Sequence, residues 1–298
     1  MTYSIAARDP ISGQMGIAVQ SHWFSVGSIV SWGRAGVGVV ATQALAEPAY
    51  GPRGLELMAR GIPAPQALAD LLADDPGAEV RQVAMVDAQG HVGAHTGTRC
   101  IAMTGHRTGD GFSCQANMMR NDTVWGAMAS AFESAKGPLP ERLVAALIAA
   151  EDQGGDIRGR QSAALLVVGP QPAEGPLDDV LVDLRVEDHP NPVAELQRLL
   201  RLRRAYDHMD LFDAALEAGD EEQAWRQVAA GQSLARDNVE MTFWKAVALA
   251  TRGREDEART LLAECAASNP GWSELLRRLP DAGLFPDDPD LIERLLRA

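Results

Sequence analysis

Two kinds of hydrophobic spacing divide the chain near residue 190. Before that point, short runs alternate apolar and polar positions, the period of half-buried strands. Residues 3–8 read as a strand, 9–13 (Asp9-Pro10-Ile11-Ser12-Gly13) as a turn, and 14–20 as the return strand of a β-hairpin. Residues 28–32 and 36–42 predict two more strands. Residues 50–74 carry helical spacing (Leu55, Met58, Ala59, then Ala67, Leu68, Leu71, Leu72), interrupted by Pro63 and Pro65. A second hairpin, 81–87 with 91–96, turns around Ala88-Gln89-Gly90. Residues 111–117 predict a strand, 123–135 and 140–153 two helices, 163–168 an apolar strand, and 180–186 an alternating one. The order ββββ-α-βββ-αα-ββ lacks βαβ alternation. It predicts antiparallel sheets with helices in separate groups, an α+β fold.

Beyond Asp188-His189-Pro190-Asn191-Pro192 the spacing is helical throughout. The two prolines block continuation of the preceding strand, so the predicted domains are 1–190 and 193–298. The second shows internal similarity at a period of 34 residues, pairing Gly219 with Gly253, Ala224 with Ala258, Val228 with Leu262, and Ala214 with Ala248. That period marks tetratricopeptide-type helical hairpins. Two such repeats bury little on their own, so this domain is expected to pack on the first domain or on a second subunit, as in a homodimer.

Composition narrows the function. A chain of 298 residues with 46% hydrophobic positions can bury a sizeable core. It has no apolar run of membrane-span length and no signal-peptide pattern, which predicts a cytoplasmic protein without a membrane partner. The three cysteines are far apart, so neither a disulfide framework nor a cysteine zinc site is indicated. A net charge of −14 argues against a nucleic-acid partner.

Candidate chemistry begins at the second residue. Removal of Met1 would leave Thr2 with a hydroxyl and a free α-amine on one residue. Because α-amines titrate near pH 8, a neutral fraction is available to take the hydroxyl proton, one route to an activated nucleophile. A good context for Met removal, and nothing more, is the plainer reading. Gly36-Val37-Gly38-Val39-Val40-Ala41 matches a dinucleotide fingerprint, but the residues after it read as strand rather than helix, so no such cofactor is expected. His91 and His95 share one strand face, with His106 and Cys114 downstream. No diagnostic spacing supports a metal. The loop Gly154-Gly155-Asp156-Ile157-Arg158-Gly159-Arg160-Gln161-Ser162 is polar and glycine-rich, and suits either catalytic groups or an ordinary connection. Gln115 and Asn117 share a strand face and could donate to a substrate or oxyanion.

Taken together, Thr2-Tyr3-Ser4-Ile5-Ala6-Ala7-Arg8-Asp9-Pro10, Ala35-Gly36-Val37-Gly38-Val39-Val40-Ala41-Thr42-Gln43-Ala44, Gly105-His106-Arg107-Thr108-Gly109, Gly111-Phe112-Ser113-Cys114-Gln115 and Gly159-Arg160-Gln161-Ser162-Ala163-Ala164-Leu165 resemble the bacterial family known as domain of unknown function 1028. That family is grouped with the N-terminal-nucleophile hydrolases, the superfamily of the proteasome β-subunits. The helical tail is similar to a segment of some members that carries a peptidoglycan-binding label. The resemblance implies a four-layer αββα sandwich with Thr2 as nucleophile. It places a backbone oxyanion donor at Ala44, and Asp156 and Ser162 where an Asp and a Ser orient the amine. Proteasome-type sites also hold a Lys. Here Lys136 and Lys245 fall in or beside predicted helices, so the amine would act alone or through water.

The expected function is hydrolysis of a C–N bond in a small amide or peptide, without cofactor or metal. Gln43, Gln115, Asn117, Arg160, Gln161 and Arg34 are the candidate substrate-binding residues, the arginines suiting an anionic substrate. The alternative is a non-enzymatic protein whose helical domain docks a peptide, protein or cell-wall fragment.

Overall fold

The computed structural model describes residues 2–173, 175 and 179–297. Met1, and with it the question of its removal, lies outside them. The chain divides into two compact units, Met1–Leu200 and Arg201–Ala298.

In the first unit, β1 (Thr2–Arg8) and β2 (Met15–Ser21) form the expected hairpin. Its turn is closed by Asp9, whose carboxylate accepts from the backbone N–H and hydroxyl of Ser12, and by Gly13 at φ 73°. A short helix α1 (Gly27–Val30) leads into β3 (Ser31–Arg34) and β4 (Gly38–Ala44). Helices α2 (Tyr50–Ala59) and α3 (Ala64–Ala73) follow, broken at Gly61 and Pro63. Next come β5 (Arg81–Asp87), β6 (Val92–Thr96), β7 (Gly105–Gly109) and β8 (Phe112–Ala116), then α4 (Val124–Ser134), α5 (Leu139–Asp152), β9 (Ser162–Val168) and β10 (Val180–Val186). The strands form two antiparallel sheets. One has six strands in the order β10-β9-β2-β1-β8-β7, the other four in the order β3-β4-β5-β6.

Side-chain alternation assigns the faces. Tyr3, Ile5 and Ala7 point from β1 into a core shared with Phe132 of α4 and with Leu143 and Leu147 of α5. Ala6, Ile17 and Val19 point the other way, against Val39, Ala41, Ala84 and Val86 of the four-stranded sheet. Val40, Val83 and Met85 leave the back of that sheet to pack on Leu55, Met58 and Leu68 of α2 and α3. Each burial follows the period of two along a strand and the apolar stripe along a helix.

Two elements differ from the sequence reading. Residues 28–32 are not one strand: Ser28, Ile29 and Val30 donate backwards to the carbonyls of Ser25 and Val26. Val26, Ile29 and Val30 stand at i, i+3 and i+4, a helical spacing that the short β-branched run obscures. The second is β7, which the sequence pattern does not predict. It is a polar edge strand with no apolar alternation, and its glycines have a packing reason. A Cβ on Gly105 would lie 2.8 Å from the Trp125 ring, and one on Gly109 2.2 Å from the Phe112 ring.

The second unit is helical. Helix α6 (Pro192–Glu217) starts on a proline, at the position where the missing N–H costs nothing. Val193, Leu196 and Leu200 belong to the core of the first unit. The division therefore falls within this helix and not at Asn191. Helices α7 (Glu221–Leu234), α8 (Val239–Ala250), α9 (Glu255–Ser268), α10 (Gly271–Arg278) and α11 (Pro289–Leu296) complete the unit. Most of the 34-residue pairs are equivalent. Gly219 and Gly253 both have positive φ just after a helix, and Ala224 with Ala258 and Val228 with Leu262 are buried. The pair Ala214 and Ala248 is not, since Ala214 is exposed and Ala248 buried.

Gly51 in α2 tests the packing of α2 on the four-stranded sheet. Alanine is the better helix former by about 1 kcal/mol, yet a Cβ there would sit 2.2 Å from the Trp32 ring. Gly51→Ala is expected to lower stability by about 1–3 kcal/mol in urea unfolding, reversing the propensity.

Candidate functional site

Thr2, Ser21 and Ser162 are directly opposite one another on the neighbouring strands β1, β2 and β9. Thr2 faces the four-stranded sheet and is almost fully buried. Its hydroxyl donates to Ser21 Oγ at 3.1 Å. Both residues line a cavity of about 710 Å³, a size suited to a drug-sized ligand.

The carbonyl of Thr2 is held by the backbone N–H of Asn117 at 3.1 Å, by Asn117 Nδ2 at 3.3 Å and by Gln43 Nε2 at 3.1 Å. Gln43 and Asn117 both also donate to Oε1 of Gln82, at 2.7 and 2.8 Å. Gln82 Nε2 donates in turn to the carbonyl of Ala116 at 2.9 Å, tying the four-stranded sheet to the six-stranded one. Ser4 donates to Gln43 Oε1 at 2.7 Å, and Gln115 Nε2 donates to the Ala41 carbonyl at 3.1 Å and to Ser4 Oγ at 3.3 Å. Buried amides need such partners, and those of Gln43, Gln82 and Asn117 have them, which makes this part of the network rigid, whereas the buried Oε1 of Gln115 has none. Gln43 and Asn117 therefore reach the cavity wall with their amide groups engaged in holding Thr2. Gln115 does not line the cavity; it lies in the layer between the sheets.

Backbone strain gathers at the same place. Among the described residues, the non-glycine residues with positive φ are Ser25 (53°), Ala44 (71°), Met103 (57°) and Met118 (57°). Ala44 lines the cavity. Ser25 lies between the lining residues Trp23 and Val26, Met118 follows the lining residue Asn117, and Met103 is two residues after the lining residue Ile101. Such conformations cost about 1–3 kcal/mol each and persist where the surroundings enforce them. At Ala44 the turn ends β4 and sends Leu45 and Ala46 along the cavity wall.

The glycine-rich loop contributes through Arg158. The buried carboxylate of Asp156 accepts from Arg158 Nε at 3.1 Å, Arg158 Nη2 at 2.8 Å and the Arg158 backbone N–H at 2.9 Å, and from the backbone N–H of His22 at 3.3 Å. It thereby holds Arg158 at the cavity wall. Gly159, at φ 107°, then turns the chain away. Arg160 pairs with Glu151 and donates to Asn191 at 2.9 Å, while Arg34 is on the surface 3.8 Å from Glu56. Neither arginine lines the cavity, and Gln161 does not either. The sequence reading missed Arg158, although the spacing Asp156-x-Arg158 carried the signal of a local pair. Ser162 Oγ donates to the Trp23 carbonyl at 2.5 Å and accepts from the Val26 N–H at 3.0 Å. It fixes the segment that forms one cavity wall.

Burial and hydrogen bonding act on ionisable groups at the cavity and beyond it. The hydrogen bond from Arg81 keeps the Asp75 carboxyl below the usual carboxylate range, and Arg81 reaches the cavity beside the Leu45 carbonyl, 2.6 Å away. Burial pushes the Cys100 thiol up, so this cavity-lining group stays protonated near neutral pH. Burial, and then the neighbouring Glu151 that its hydroxyl bonds, raise Tyr3 well above the usual phenol range. His91 bonds Asp87, His95 bonds the Ala78 carbonyl and His106 bonds Thr96. Among the described residues no group of three or more His, Cys, Asp or Glu could hold a metal ion, and no lysine lines this cavity. Gly36 turns the β3–β4 hairpin and Gly38 begins β4, so no helix opens on those glycines. Among the described residues no helix is long and apolar enough to cross a membrane.

Gln82 is the hub of the network, and Gln82→Leu would leave the amides of Gln43 and Asn117 short of an acceptor. The expected loss is about 1–3 kcal/mol per unpartnered buried group, read as a lower urea midpoint with an unchanged slope.

Comparison with known proteins adds the family. Residues 2–196 match DUF1028, described as a family of unknown function. The crystal structure of protein SPO2555 from Silicibacter pomeroyi, itself assigned to DUF1028, is similar with a TM-score of 0.60 and 33% identity, over 67% of this chain and 88% of that one. No curated protein matches the chain. A match that takes in both sheets and the residues around Thr2 places this chain in the DUF1028 family.

Proposed function

We propose that this protein is an N-terminal-nucleophile hydrolase that cleaves a C–N amide or peptide bond, with Thr2 as nucleophile once Met1 is removed. The observation that carries the reading is Thr2 itself. The first residue of a central strand has its hydroxyl at the wall of a large cavity and its carbonyl fixed by three donors. The succession of α4 and α5, the six-stranded sheet, the four-stranded sheet, and α2 and α3 supports the reading as a four-layer αββα sandwich.

In this mechanism Thr2 Oγ attacks the amide carbonyl and its proton passes to the α-amine, directly or through the Ser21 hydroxyl. The backbone N–H at Ala44 receives the developing oxyanion; one such donor contributes roughly 2.7–4 kcal/mol to transition-state stabilisation. The C–N bond breaks as the ammonium returns the proton to the leaving nitrogen. An ester on Thr2 remains, and water hydrolyses it. Asp156 and Ser162 act by holding the cavity walls. With Lys136 and Lys245 both absent from the lining, the amine is the only base in this scheme. For the second unit we propose tetratricopeptide-like hairpins that serve packing or partner contacts.

The reading is tested with an acylating β-lactone. Wild-type protein is expected to gain one adduct, mapped to Thr2 by peptide mass spectrometry. Thr2→Ser is expected to retain labelling, within about 10²-fold, and Thr2→Ala to lose it. An adduct on Thr2→Ala equal to wild type would remove Thr2 from the mechanism.

A further inference from the structure

The surroundings of Thr2 carry more apolar surface than a small anionic substrate requires. Val26, Ile29 and Val30 form one wall, their spacing bringing all three to the same side of a helical turn. Leu45 and Ile101 line the cavity and remain 64% and 54% exposed, and Trp23 is 58% exposed. Phe24, Met103 and Ile157, each next to or near a lining residue in the chain, are also exposed. Scattered exposed hydrophobics are ordinary, but a contiguous set around a concave site marks a binding surface.

The charges at this cavity are matched. Arg158 pairs with Asp156 at 2.8 Å, Arg81 with Asp75 at 2.9 Å and Arg99 with Glu79 at 2.6 Å. Every arginine of the lining thus meets a carboxylate, and the walls offer no surplus positive charge to an anion. Arg160 and Arg34, the sequence-based grounds for an anionic substrate, lie elsewhere.

From these observations, and resting on the reading of Thr2 as nucleophile, we infer that the substrate presents an extended uncharged apolar acyl arm, alkyl or aryl-alkyl, to the wall formed by Val26, Ile29, Val30, Leu45 and Ile101. The arm covers the exposed rim, and its carbonyl carbon lies at Thr2 Oγ. Arms too short to reach the rim leave that surface in water.

A homologous series of β-lactones with methyl, butyl and octyl arms tests this whatever the natural leaving group. In each case Thr2 Oγ attacks the lactone carbonyl and the ring C–O bond breaks. The ring oxygen leaves as a hydroxyl, taking the proton first lost by Thr2, and an ester of Thr2 remains. The labelling rate constant of the full-length protein is read by intact mass and divided by the rate at which each lactone hydrolyses in buffer. A buried methylene is worth about 0.8 kcal/mol, so the normalised rate is expected to rise about fourfold per methylene until the arm fills the cavity. Leu45→Asp and Ile101→Asp, at exposed positions that tolerate a charge, are expected to cut the octyl-to-methyl ratio at least tenfold. Labelling of Thr2 at rates independent of arm length, or an unchanged ratio in both variants, would overturn the inference and leave the nucleophile standing. No labelling by any arm would overturn the nucleophile reading and this inference with it.

Discussion

The structure turns on how one end of a two-sheet core is filled. Along most of their length the facing sheets meet through Ala, Val and Ile. At the end where β1 begins, the same layer is filled by the side chains of Ser4, Gln43, Gln82, Gln115 and Asn117. Amides buried this deeply are costly unless bonded, and here they bond one another and the carbonyls of Thr2, Ala41 and Ala116. Thr2 is placed by this requirement: its carbonyl is an acceptor the network uses, and that fixes where its hydroxyl points.

The strained and exposed features follow from the same arrangement. A strand that begins at a cavity needs its neighbours to turn away, and Ala44 and Met118 turn in left-handed conformations just past Gln43 and Asn117. Asp156 and Ser162 brace the remaining walls from behind, one through Arg158 and the other through the Trp23 carbonyl and the Val26 N–H. The cavity is thus braced by buried side chains, and the groups facing it are Thr2, Ser21, Gln43, Asn117, Cys100, the paired Arg81, Arg99 and Arg158, and apolar residues.

Much of this is legible in the sequence, for identifiable reasons. The β1–β2 and β5–β6 hairpins announce themselves through alternation and turn residues. Gln43, Ala44, Asn117 and Thr2 reach the cavity wall because strand ends carry them there. The edge strand β7 is silent because His106, Arg107 and Thr108 face solvent and give no alternation. Arg160 looks equivalent to Arg158 in sequence, and only the turn at Gly159 separates their directions. Gln115 shares a face with Asn117 as expected, but spacing alone does not tell that its amide bonds the Ala41 carbonyl across the interface. The prolines near 190 suggest the end of the first unit, whereas Val193, Leu196 and Leu200 extend its core into α6.

The central claim is that Thr2 acts with its own α-amine, and the state of the chain's N-terminus in purified protein tests it most directly. Mass spectrometry of the N-terminal peptide reports that state without any substrate. The account predicts a peptide that begins at Thr2 with an unmodified amine. A peptide that retains Met1, or one that begins at Thr2 with its amine blocked, would contradict it.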